Sequence, residues 1–106
     1  MDKKKVLSFL GLAAKAGKVK SGEFSTEKSV KSGHSYLVII AEDASDNTKK
    51  MFHNMCTYYK VPLAIYGSKD ELGTYIGKQF RASLSIEDAG FAKSLREKLG
   101  MMDEWR

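Results

Sequence analysis

Two pairs of side chains in this sequence have types and spacings that chemistry could use. His53 and Cys56 stand three apart in a segment with helical spacing, where an imidazole could take the thiol proton and create a nucleophile. Cys56, however, falls on the apolar stripe of Met51, Phe52, Met55 and Tyr59, with His53 on the opposite, Lys49/Thr57 side. A reactive thiol needs an electropositive, accessible setting, so this pattern predicts a buried structural cysteine. Glu42 and Asp43 are adjacent acids that could hold a metal or share a proton. With no histidine beside them, an oriented loop or a helix cap is the expectation. Gly11, Gly17 and Gly22 lack a phosphate-loop spacing, and no glycine run leads into Gly-Lys-Ser/Thr. One cysteine and two histidines exclude a disulfide framework and a cysteine-rich zinc site. No catalytic residue, metal or cofactor is expected.

Binding chemistry is better represented. Eighteen Lys and Arg face 13 Asp and Glu, a net charge of +5. Residues 1–33 hold eight lysines and three acids, while basic and acidic side chains balance over 34–106. The whole excess therefore lies in the first third, as in a surface that meets a polyanion, most often nucleic acid. A solvated lysine-rich face is the alternative. On a helix from Gly22 to Ser32, Phe24, Lys28 and Lys31 share one face and Thr26 and Val30 the opposite one. The helix start adds free N–H groups and a positive dipole directly after Lys18 and Lys20, a setting that suits backbone phosphates. The residues alone leave open whether Phe24 faces outward or tucks into the core.

The elements that position these groups are marked along the chain. Lys3-Lys4-Lys5, Val6 to Ala14 and Ala14-Lys15-Ala16 superficially resemble a signal peptide, but Ser8 and Gly11 interrupt the apolar stretch. Val6, Phe9, Leu10 and Ala13 instead form the stripe of an amphipathic helix stopped at Gly17. No segment approaches the roughly 20 apolar residues of a membrane span, so a cytoplasmic protein without a membrane partner is expected. Lys18 to Lys20 is extended, and Tyr36 to Ala41 reads as a strand buried on both faces. Ser45 caps a helix over Asp46 to Lys60, and Leu63 to Tyr66 is a second strand. Ser68 and Glu71 form a capping box for a short helix ending at Gly77. After the basic loop Lys78 to Arg81, Ala82, Leu84 and Ile86 alternate with Ser83, Ser85 and Glu87, which predicts a half-exposed strand. Asp88 caps a last helix with Phe91, Leu95 and Leu99 inward. The alternation predicts one α/β domain over 1–106, a sheet covered by helices on both faces. Ligands of such sheets gather at strand ends and helix starts, here Ser21–Ser25, Ala41–Ser45, Gly67–Lys69 and Lys78–Arg81.

The segments AKAGKVKSGE, with Lys28 six residues beyond Gly22, then YLVIIAEDAS, YYKVPLAIYGSKDELGTYIGK and ASLSI, resemble the kink-turn RNA-binding ribosomal protein family. Its eponymous members are the large-subunit proteins L-seven-Ae and L-thirty-e. The SGE, AEDAS and GFAK elements are similar to its bacterial YlxQ type. The resemblance runs from about Val6 to Leu99. It implies a three-layer α-β-α sandwich with a mixed four-stranded sheet, and non-catalytic binding of a sharply bent RNA with a bulge beside tandem sheared G·A pairs. The family's reading helix starts Gly-x-Asn-Glu-x-x-Lys. Gly22 and Lys28 match it, whereas Phe24 and Ser25 replace the Asn-Glu pair that reads the G·A guanines. Backbone contact is therefore expected to survive, with base-edge readout reduced. Ser45 stands where some relatives place a Glu against an extruded base, and Lys69 matches an RNA-contacting lysine. Lys78 to Ser83 corresponds to the loop over the flipped nucleotide, with Phe80 and Arg81 as its stacking and phosphate groups.

The RNA-contacting set so implied is Lys18, Lys20, Gly22, Glu23, Phe24, Ser25, Lys28, Lys31, Ser45, Lys69, Gln79, Phe80 and Arg81. The expected partner of a monomeric chain is structured RNA, either ribosomal RNA or another RNA containing a kink-turn, with other ribonucleoprotein components as further candidates. Two readings from other classes stand beside this one: a protein–protein interaction module on the same fold, and a small thiol enzyme using Cys56.

Overall fold

Most of the helices start at a side chain that accepts a backbone N–H the helix itself leaves unpaired. In the computed structural model, which describes residues 2–101, Asp2 accepts from Lys4 N–H at the start of α1 (Lys3–Lys15). Ser45 accepts from Thr48 N–H to open α3 (Asp46–Tyr59), and Asp88 from Phe91 N–H to open α5 (Ala89–Lys98). The Ser68/Glu71 capping box opens α4 (Lys69–Tyr75), as the sequence predicts. The exception is α2 (Glu23–Lys31). Its N-cap is Gly22, at φ +93°, a backbone region that an L side chain rarely enters.

Strands β1 (Val19–Ser21), β2 (Leu37–Ile40), β3 (Leu63–Ile65) and β4 (Ser83–Ile86) form one sheet in the order β1-β4-β2-β3. β2 runs parallel to β3, and β4 runs antiparallel to both β1 and β2. The sheet is therefore mixed and four-stranded, and the α/β sandwich implied by the resemblance is the one observed. Helix α2 packs with α3, and α1 packs with α4 and α5. The core gathers Leu37 to Ile40, Leu84 and Ile86 against Val6, Leu10, Val30, Phe52, Leu72 and Leu95. Leu7, outside the expected α1 stripe, is also buried; Phe9 is only partly so and pairs with Phe91 at a centroid distance of 5.4 Å.

Two expectations need correction. β4 is not half-exposed: all four of its residues are buried, because it is an inner strand whose two faces are covered by helices, with α2 and α5 both packed on it. Its central polar position, Ser85, is satisfied internally. The Ser29 hydroxyl donates to Glu87 Oε2 at 2.6 Å and lies 2.7 Å from Ser85 Oγ, and the Ser85 hydroxyl donates to Ser35 at 2.7 Å. Tyr59, placed on the apolar face of α3, is 40% exposed, and that face buries Phe52 and Cys56 while Met51 and Met55 are partly covered. The position falls at the last residue of the helix.

The buried hydroxyls differ in their partners, which gives a stability test. Ser85→Ala removes the middle of the serine chain and should lower stability by about 1 kcal/mol. Thr26 Oγ1, buried in α2, has no hydrogen-bond partner among the described residues. Thr26→Val should therefore raise stability by roughly 1 kcal/mol, since an unsatisfied hydroxyl is removed from the interior. Denaturant midpoints of the two variants are expected to move in opposite directions.

Candidate nucleic-acid interface

The register of the sheet decides what can act together. Ile40 pairs with both Ser83 and Ile65, and Ser21 with Leu84. The exits of β1, β2 and β3 and the entrance of β4 therefore lie at one end of the sheet. All four junctions singled out in the sequence meet there. Backbone and side-chain bonds tie them in series: Gly22 N–H donates to Ser83 O at 3.0 Å, and Ala41 N–H to Ala82 O at 2.9 Å. Arg81 N–H donates to Lys69 O at 3.1 Å, and Glu42 N–H to Gly67 O at 2.7 Å. Asp43 Oδ1 accepts Lys69 N–H at 2.9 Å, so this acid orients the α4 start as expected of a capping carboxylate.

Arg81 is the bracket of this end. Its Nε donates to Ser21 Oγ at 3.0 Å and its Nη1 to Phe80 O at 2.8 Å, which ties the guanidinium to the end of β1. Phe80 beside it is 69% exposed, and Lys78 and Gln79 are exposed as well. Gly73 makes this loop possible, because a Cβ there would lie 1.7 Å from Gln79 O. Lys69 is anchored from behind. Lys3 Nζ contacts Glu71 Oε1 at 3.0 Å, and that ammonium, with the Ser68 N–H, holds the Glu71 carboxyl below the usual carboxylate range.

Helix α2 carries the second part of the surface. Phe24 faces outward, 78% exposed, with Lys28 on the same side, while Thr26, Ser29 and Val30 are buried. Lys20, on edge strand β1, lines a groove with Phe24, Ser25 and Lys28. Glu23 is exposed in the first turn, where no side chain caps the free N–H groups. Three of the expected residues stand apart. Lys18 sits at the other end of β1, where its carbonyl accepts Glu87 N–H at 2.7 Å. Lys31 is nine residues beyond Gly22, on the order of 13 Å along the helix. It is bonded to Glu27 at 2.7 Å, and that bond raises its pKa. Ser45 is exposed, but its hydroxyl both caps Thr48 N–H and donates to Thr48 Oγ1 at 2.9 Å.

Two participants carry no signal in the sequence. Ser21 anchors an arginine 60 positions away, and Gly73 sits inside a helix where local spacing does not reveal that a Cβ would strike the Gln79 carbonyl. A glycine within the helix at KDELGTY is the one mark that could have drawn attention to the second. Cys56 lies at the other extreme. It is buried, and desolvation pushes its thiol up to about 12, so the thiolate that a nucleophile requires is not formed at neutral pH. His53, one turn before it, is exposed. Among the described residues no group of His, Cys, Asp and Glu could hold a metal ion, and no helix is long and apolar enough to cross a membrane.

The class so defined is a small α/β sandwich with a lysine- and arginine-bearing surface at one end of its sheet. The chain belongs to the ribosomal protein L7Ae/L30e/S12e/Gadd45 family, whose model matches residues 4–96. It is 44% identical over 86 residues to the RNA-binding protein YlxQ of Bacillus subtilis, covering 81% of this chain and 86% of that one. Similarity extends to the large ribosomal subunit protein eL8 of Picrophilus torridus, at 38% identity over 82% of this chain and 69% of the relative. Among solved structures, a Bacillus halodurans protein of unknown function superposes with a TM-score of 0.88 at 38% identity, covering 91% of this chain and 97% of its own. The Giardia lamblia 15.5kD RNA binding protein superposes with a TM-score of 0.76 at 27% identity, covering 92% and 86%. Both the family and the YlxQ likeness expected from the sequence are thereby borne out.

Proposed function

We propose that this chain is a non-catalytic RNA-binding protein of the ribosome or another ribonucleoprotein, a cytoplasmic monomer whose residues 1–106 form one domain. It recognises a bent, kink-turn-like RNA. The observation that carries the reading is the fastening of four loop junctions at one sheet end, with Lys69, Phe80 and Arg81 there and Lys20 and Lys28 beside it. Relatives named as RNA-binding proteins and as large-subunit ribosomal proteins support it. Lys20, Lys28 and Lys69 neutralise phosphates that approach closely in a bend, the α2 start faces the groove, and the Phe80/Arg81 loop holds an unstacked base. By binding the bent form better than the extended one, the protein shifts the RNA population toward the bend.

The test is a titration of a standard kink-turn at two salt concentrations, beside the same duplex with its G·A pairs converted to Watson–Crick pairs. Affinity for the kink-turn should fall steeply with salt. Lys28→Ala and Lys69→Ala should each flatten the logarithmic salt dependence by about 0.7–0.9, one phosphate contact apiece. Their melting temperatures should stay nearly unchanged, since surface substitutions move stability by roughly 0.5 kcal/mol or less. Normal binding by both variants would place the interface on another face. In the loop, Arg81→Ala and Phe80→Ala should weaken binding to bulged RNA more than to plain duplex, because base–aromatic stacking contributes about 1–3 kcal/mol. Equal losses on both RNAs would show that the loop supports the fold rather than the base.

A further inference from the structure

Phe24 is as exposed as any large apolar side chain in the described chain, level with Tyr58 at 78%. Tyr58 stacks edge-on against Tyr59 with centroids 4.9 Å apart, and Phe9 pairs with Phe91; Phe24 is in neither pair. It stands with Lys28 as a ridge between two open grooves. One, of about 440 Å³, is lined by Lys20, Ser25, Ser32 and His34, and the other, of about 420 Å³, by Glu27, Lys31 and Ser32. A bare aromatic ring in water is unfavourable, and nothing in the fold needs it there, since Thr26, Ser29 and Val30 make the inward contacts of α2. Glu87 closes the far end of the first groove by accepting from Ser29, and Glu27 in the second is paired with Lys31, which leaves two lysines beside the ring: Lys20 on one side and Lys28 one helical turn on, four residues away, within reach of phosphates flanking a base. A flat π-face between lysines complements an unpaired nucleotide, whose base stacks and whose phosphates are paired electrostatically.

We propose that Phe24 is a stacking platform that sets the RNA preference of this chain, taking the face of an unpaired base where a polar side chain would read the edge of a paired one. The inference rests on the RNA-binding function proposed above and names the feature that function selects: an unstacked nucleotide beside a duplex. Phe24 discriminates by availability of a base face, and therefore tolerates any of the four bases. Lys20 and Lys28 supply the part of the affinity that does not depend on the unpaired base.

The probe is a duplex carrying one unpaired 2-aminopurine, titrated beside the same duplex without the bulge, with fluorescence of the analogue as a second readout. Phe24→Leu keeps an apolar side chain of similar size and removes the ring, and Phe24→Tyr keeps the ring. Phe24→Leu should lose about fivefold or more on the bulged duplex, the lower end of base–aromatic stacking, and less than twofold on the plain one. Phe24→Tyr should bind both as the unaltered protein does. The change in 2-aminopurine emission on binding should persist in Phe24→Tyr and shrink in Phe24→Leu. The lost affinity should be of similar size with a uracil or an adenine in the bulge. Binding of both RNAs by Phe24→Leu as tightly as by the unaltered protein, or equal losses on both, would overturn the stacking role; Lys28→Ala would still weaken binding if the RNA-binding reading itself is sound. Failure of the unaltered protein to bind either RNA would instead overturn that reading, and capture of a protein through an intact Phe24 patch would show a protein occupant in place of a base.

Discussion

Gly73→Ala should lower stability by about 2–3 kcal/mol and, at a temperature where the variant is still folded, reduce RNA affinity more than any single lysine removal. The added methyl would lie 1.7 Å from Gln79 O and 2.5 Å from Gln79 C, both backbone atoms, so no side-chain rotation relieves it. The loop is pinned on either side of the clash: Lys78 N–H donates to Gly73 O at 2.8 Å, and Arg81 N–H to Lys69 O at 3.1 Å. Whichever bond yields, Phe80 and Arg81 move with it, and Arg81 loses its grip on Ser21. Thr74→Ala, one residue on and exposed, is the control and should change neither quantity by much. Denaturation midpoints and an RNA titration measure both effects. A Gly73→Ala protein that melts like the unaltered one would mean that the loop does not rest on α4.

Phe24→Asn combined with Ser25→Glu should raise discrimination between a kink-turn and plain duplex by about tenfold or more. The resemblance drawn from the sequence implies an Asn-Glu pair reading the G·A guanines at these positions, and a good bidentate base contact contributes roughly 1–3 kcal/mol. The fold should tolerate the change. Phe24 is exposed and Ser25 half-exposed, and an acid in the first turn of α2 is favoured by the helix dipole. The same variant should lose the preference for an unpaired base that Phe24 provides. Competition binding with the two RNAs reads both changes together. A folded variant with no gain in discrimination would show that α2 does not meet the G·A pairs.

The helices were legible because most have a chemical end mark: Ser45, Ser68 with Glu71, and Asp88 at helix starts, and Gly17 and Gly77 after helices. These are local signals, and local signals survive in a one-dimensional reading. β4 was misjudged for the opposite reason. Its alternating serines look like a wet face, and only Ser29 and Ser35, more than 45 positions away, make them compatible with burial. Helical geometry set Phe24 and Lys28 opposite Thr26 and Val30 but left open which side is inward; the packing of α2 on β1, β4 and α3 decides it, burying Thr26 and Val30 and exposing Phe24 and Lys28. Sequence spacing could not tell Lys69 from Lys18. Both are lysines beside a turn, yet the strand register puts one at the working end of the sheet and the other at its far end.

The strand order has a consequence in time. β1 and β2 are neighbours in the chain but not in the sheet; β4, made last, is inserted between them. A polypeptide growing from its first residue therefore carries the full cationic excess long before it has a shape to present. Until residues 81–86 exist, Ser21 has no arginine, Gly22 has no carbonyl to bond, and the exit of β1 has nothing to hold it beside β2. Such distant pairings are slow to close, because the loop entropy must be overcome before the contacts form. A nascent or truncated chain ending near residue 80 would attract RNA by charge alone, indifferent to whether it is bent or straight. On the function proposed above, discrimination between bent and straight RNA arrives late, when a four-residue strand completes the sheet.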